Sequence, residues 1–110
     1  LQADPAASEE AVIYVYNGGG PSGAAANVTA KLTAKDFKAT SVGNTEAVNG
    51  KYVIYDLTNG EKSGTSSALS KILGVEVKKV SARDLPSGIK TDGNFVVIVG
   101  KEATLSSSSN

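Results

Sequence analysis

Gly18-Gly19-Gly20-Pro21-Ser22-Gly23 fits the G-x-G-x-x-G spacing and lies between an apolar run and a helical stripe. Glycines in such a loop let a ligand approach the main chain, and free amides at a helix start attract anions. A dinucleotide site also needs a parallel β-α-β continuation and an acid about 20 residues further on. Here Glu46 falls in a turn region, not at a strand end. The loop therefore reads first as a tight strand-to-helix turn that uses positive φ and close packing. A weak anion or sugar-hydroxyl contact is the ligand-binding expectation, with Asn17, Gly18, Gly19, Gly20, Ser22 and Gly23 as its residues.

Tyr14 and Tyr16 are the second chemical feature. A period of two puts both on one face of a strand. If Ile13 and Val15 face the helices, the tyrosines line an uncovered sheet face, where rings can stack on sugars or bases. The simpler account is that they complete a half-exposed sheet. Tyr52 and Tyr55 differ in parity, so one of them points inward. An RNA-binding sheet would carry aromatics within a basic, glycine-containing signature. Phe95-Val96-Val97-Ile98-Val99 has one aromatic and no preceding basic-glycine pair, so nucleic acid is not an expected partner.

The composition narrows the chemistry. The 110 residues include no His, Cys, Met or Trp, and 11 Lys+Arg balance 11 Asp+Glu. Without His or Cys there is no zinc site of the usual kind, no Ser-His or Cys-His nucleophile, no disulfide and no redox motif. No catalytic residue, metal or cofactor is assigned, and the chain is read as non-catalytic. Glu9-Glu10 is a solvated pair. Asn27-Val28-Thr29 matches a glycosylation acceptor but falls within a helical stripe. Lys78, Lys79 and Arg83 form a small basic patch on a soluble face. The Asn-Gly pairs at 17–18, 49–50 and 59–60 are turn formers and not sites of chemistry.

The elements that must position these residues follow from periodicity. Val12 to Tyr16 reads as a strand stopped by Asn17-Gly18. Ala25, Val28 and Leu32 mark a helix starting at Pro21 or Ser22 and stopping near Asp36, with Lys31, Lys35 and Lys38 at its far end. Phe37 to Val42 is a weaker strand, Gly43 to Gly50 a turn-rich link, and Tyr52 to Leu57 a third strand. Ser63 to Leu73 is a second helix stopped by Gly74. Val75 to Val80 is a short edge strand guarded by Lys78-Lys79. Ser81 to Asn94 is a polar loop, and Phe95 to Val99 is a strand inside the sheet. The short link before Tyr52 implies a hairpin, because a parallel crossover takes a dozen residues or more. The expected fold is α+β: a ferredoxin-like β-α-β-β-α-β two-layer sandwich, with a mixed sheet and two helices on one face. The other face would be bare, and the first and last strands would be neighbours.

Residues 1–10 read as a flexible linker, 11–102 as the domain, and 103–110 as a disordered Ser-rich tail. The first ten residues hold Asp4, Glu9 and Glu10 and no cation. The apolar runs Ala11 to Tyr16 and Phe95 to Val99 are far short of the roughly 20 residues a spanning helix needs. The chain opens on Leu1 and not on Met, as a processed or excised piece would.

The residues also resemble a known family. An apolar strand runs into Asn17-Gly18, and Gly23-Ala24-Ala25 then opens a helix with Leu32 near its end. Val53-Ile54-Tyr55, Ile72-Leu73-Gly74 and Phe95-Val96-Val97-Ile98-Val99-Gly100 followed by Lys101-Glu102 continue the likeness over about residues 11 to 102. These features are similar to the C-terminal domain of LytR-type cell-envelope proteins, which follows the LytR-CpsA-Psr catalytic domain. Asp36 departs from the family pattern, which often has Gly there. The resemblance implies an extracytoplasmic, envelope-associated module, held at the membrane only by an anchor outside this chain. Together with the glycine loop and the strand tyrosines, it makes cell-wall glycan or an anionic polymer the expected ligand; the alternative is docking on a LytR-type catalytic domain or a sister copy, through the uncovered sheet face or the Val75 to Val80 edge. Phosphotransfer in the family belongs to the catalytic domain, whose arginine machinery has no counterpart here.

Overall fold

A computed structural model describes residues 11–102 except 22, 36, 46, 86–88 and 90–92. Ser22, Asp36, Glu46 and the two expected tails lie outside the described residues. The chain forms β1 (Val12–Asn17), α1 (Ala24–Ala34), β2 (Lys38–Asn44), β3 (Tyr52–Asp56), α2 (Ser63–Leu73), β4 (Val77–Lys79), a 3-10 turn (Ala82–Asp84) and β5 (Phe95–Val99). The β-branched and aromatic runs make the strands, and the Ala/Leu and Ser/Leu stripes make the helices. Gly74 ends α2 in the left-handed conformation, φ 75°, and its amide bonds the Ser70 carbonyl.

The start of α1 differs from expectation. Pro21 precedes the helix, which begins at Ala24 behind Gly23 in the left-handed conformation, φ 85°. The Ala24 amide bonds the Pro21 carbonyl. The Asn17 side chain donates to the same carbonyl, which holds Pro21 in the turn and outside the helix.

The five strands order as β2-β1-β5-β3-β4. β1 runs parallel to β2 and β5, β3 is antiparallel to β5, and β4 is parallel to β3. The α+β class, the mixed sheet, the β1–β5 neighbourhood and the interior position of β5 agree with the sequence reading. The expected hairpin does not form. β2 and β3 run in opposite senses, but β1 and β5 lie between them. Three strand spacings come to about 14 Å, well within the reach of the 45–51 link at about 3.3 Å per residue.

That link stays ordered by hydrogen-bonding the ends of the strands it crosses. Thr45 N–H donates to the Asn17 carbonyl and Val48 N–H to the Gly18 carbonyl, both at 2.9 Å. The amides of Gly100, Lys101 and Glu102 then donate to the carbonyls of Lys51, Val48 and Gly50.

Both helices pack on one face. Ala25, Val28 and Leu32 of α1 and Leu69 and Leu73 of α2 join Ile13, Val15, Ile54, Phe95, Val97 and Val99 in one core. Fully burying such side chains contributes about 1.5–3 kcal/mol each. The opposite face is covered and not bare. Val48, Leu57, Leu85 and Ile89 come from loops and pack with Tyr16, Val96 and Ile98. Val96 and Ile98 are 0% exposed as a result. Loops can take this role because a strand with large apolar residues on both faces needs a second cover, whatever its form.

Candidate functional site

The glycine turn sits over the carboxyl end of β1. Asn17 organises it: its Oδ1 accepts from Gly20 N–H at 2.7 Å, and its Nδ2 donates to the carbonyls of Gly20 (3.3 Å) and Pro21 (3.1 Å). Gly18 N–H donates to the Val99 carbonyl at 2.7 Å. The amides of Gly18 and Gly20 are therefore engaged within the chain. Gly20 is a close-approach position, where a Cβ would lie 2.8 Å from Val99 Cγ1 and 3.0 Å from the Gly100 carbonyl oxygen. Gly19, φ 93°, is exposed beside Ala47 and Lys101, and Gly23 is exposed with open space around it. The structure thus brings Asn17, Gly18, Gly19, Gly20 and Gly23 into one turn; Ser22 lies outside the described residues.

Tyr14 and Tyr16 share the face opposite the helices, because Ile13 and Val15 point to the helical core. Tyr16 is 3% exposed. Tyr14 is half-buried and lies against Gly93, where a Cβ would meet its ring carbons at 2.8 and 2.9 Å. Its register partner on the outermost strand is Thr40, which is exposed. The parity question for the other pair resolves with Tyr52 against the helical core and Tyr55 on the loop-covered face.

Two features escaped the sequence reading. Asp56, at the end of β3, is 0% exposed. Its Oδ1 accepts from Thr58 N–H (2.7 Å) and Thr58 Oγ1 (2.6 Å), and its Oδ2 from Gly60 N–H (3.1 Å). Asp56 with Thr58 two residues on and then Asn59-Gly60 is an Asx-turn pattern and was legible as one. The second is an open groove of about 470 Å³ between α2 and β4, at the far side of the sheet from β2. Ser63, Ser66, Ser67 and Ser70 line it at helical spacing. Among the described residues, no three or more Asp and Glu side chains come together as a metal-holding group, and no helix is long and apolar enough to cross a membrane.

A family model described as LytR cell envelope-related transcriptional attenuator, LytR_C, matches residues 10–102. The chain belongs to the LytR_C family. This LytR_C domain is similar to a curated Mycobacterium tuberculosis protein named "Vesiculogenesis and immune response regulator", at 35% identity over 98 residues. The match covers 86% of the chain but 56% of that relative, so the chain spans little more than half of its length. Among solved structures it resembles the solution structure of the C-terminal domain of RV0431, with a TM-score of 0.53 and 30% identity. That likeness covers 82% of this chain and 71% of the other. The resemblance read from Asn17-Gly18 through Lys101-Glu102 is thereby established, and the description of the family ties it to the cell envelope.

Proposed function

We propose that this LytR_C domain is a non-catalytic, extracytoplasmic accessory module that acts by docking on another protein of the envelope, through the open edge of β2. The observation that carries this reading is the edge itself. β2 is seven residues long, and among the described residues it pairs with β1 and with no other strand. Lys38, Thr40, Ser41, Gly43 and Asn44 are exposed along it. An edge strand of this length can accept a partner strand, with main-chain hydrogen bonds supplying affinity. The glycine turn supports the same conclusion, since its Gly18 and Gly20 amides already bond within the chain. The regulator named in the M. tuberculosis relative is in keeping with an interaction role.

A second reading, binding of cell-wall glycan or an anionic polymer, is favoured by one specific arrangement. Half-buried Tyr14 is the register partner of exposed Thr40 on the outermost strand pair, which puts the two residues on one face of the sheet. A ring and a hydroxyl side by side can stack on and hydrogen-bond a sugar. One isotope-labelled sample tests both. Addition of a purified LytR-type catalytic domain is expected to shift amides along Lys38 to Asn44. Peptidoglycan fragments or a teichoic-type polymer would instead shift Tyr14, Thr40 and Gly19. Shifts with glycan and none with protein would overturn the docking reading.

A further inference from the structure

Three Asn-Gly pairs occur in the chain, and the fold treats them differently. In Asn17–Gly18 the Gly18 amide is bonded to the Val99 carbonyl, and the Asn17 side chain makes three bonds of its own. In Asn59–Gly60 the Gly60 amide donates to the Asp56 carboxylate. Nearby negative charge also opposes loss of a proton from that amide. In Asn49–Gly50 the Asn49 side chain is exposed. Among the described residues neither that side chain nor the Gly50 amide has a hydrogen-bond partner. Glycine after Asn leaves no Cβ to hinder approach of its nitrogen to the side-chain carbonyl.

We propose that Asn49 is a site of spontaneous deamidation, converting to aspartate and isoaspartate within the folded domain. The Gly50 nitrogen, after losing its proton to a solvent base, attacks Asn49 Cγ. The N–Cγ bond forms, the Cγ–Nδ2 bond breaks, and Nδ2 leaves as ammonia with protons from solvent. One water then opens the resulting succinimide at either carbonyl, giving aspartate or the main-chain-lengthened isoaspartate. The position matters because carbonyls on both sides of it hold the end of β5. Val48 accepts from Lys101, Gly50 from Glu102, and Lys51 from Gly100, while Gly50 itself packs against Gly100. An extra methylene between Val48 and Gly50 puts these acceptors out of register. The product therefore frees the amides of residues 100–102.

The test is incubation of the whole chain at mildly alkaline pH, followed by peptide mapping with mass spectrometry and an isoaspartate assay. Asn49 is expected to convert about five- to tenfold faster than Asn59 or Asn17, the protection of one hydrogen-bonded amide. In urea the three rates converge. Asn49→Gln abolishes the fast phase of ammonia release. The converted protein shows faster hydrogen exchange at Gly100, Lys101 and Glu102. Conversion of Asn17 or Asn59 as fast as Asn49 in the folded chain, or the same ranking in urea, overturns the proposal. Unchanged exchange at 100–102 overturns the structural consequence.

Discussion

Asp56→Ala removes three acceptor bonds at once from a side chain that is 0% exposed. A hydrogen bond to a charged group is worth about 1.5–3 kcal/mol net. Summing three such bonds overshoots, because the substitution also relieves the carboxylate's own desolvation. Thr58 and Gly60 are half-buried, so their freed donors reach water in part. Counting only the two shortest bonds at the low end gives about 3 kcal/mol. That is a large share of the roughly 5–15 kcal/mol that holds a domain together. At about 4–8 °C per kcal/mol for a domain of this size, Tm falls by about 12–24 °C. Asp56→Asn keeps an oxygen for both Thr58 bonds and turns an NH2 group toward the Gly60 amide, donor against donor. Its cost is about 1–2 kcal/mol. Urea melts followed by far-UV circular dichroism and by tyrosine fluorescence give both numbers, with no Trp to mask the four tyrosines. A change under about 0.5 kcal/mol for Asp56→Ala, or an Asn variant as damaged as the Ala variant, refutes the turn as an anchor between β3 and α2.

Leu69→Ala, at a fully buried position where α2 meets the sheet, is expected to cost about 2.7–5 kcal/mol in the same melts. Two glycine substitutions separate packing from backbone strain. Gly93→Ala drives a Cβ into the Tyr14 ring, with a cost of about 1–3 kcal/mol and a visible shift of the Tyr14 ring resonances. Gly74→Ala has open space around it and costs only the left-handed strain, about 1–2 kcal/mol, with the Tyr14 resonances unmoved.

Local features were legible because local physics decides them. Ser63 to Leu73 and Phe95 to Val99 have the bounds that their periodicity and stop signals indicate. The order of the strands was not legible for a physical reason. A short link between oppositely directed strands limits the distance spanned, not adjacency, and the 45–51 segment gains enough hydrogen bonds from Asn17, Gly18 and the 100–102 amides to cross two strand ends in order. Nothing in its own residue types announces those bonds, because main-chain groups supply nearly all of them. The covered second face escaped for a related reason. Val48, Leu85 and Ile89 look like isolated apolar residues in polar links, and although β5 is expected inside the sheet, its residues do not say which segments cover Val96 and Ile98. The candidate site changes meaning accordingly. Amides that look free in a glycine-rich sequence are bonded, Gly18 to the end of β5 and Gly20 to the Asn17 side chain, so both build the turn, and the edge of the sheet lies one strand further out, along β2.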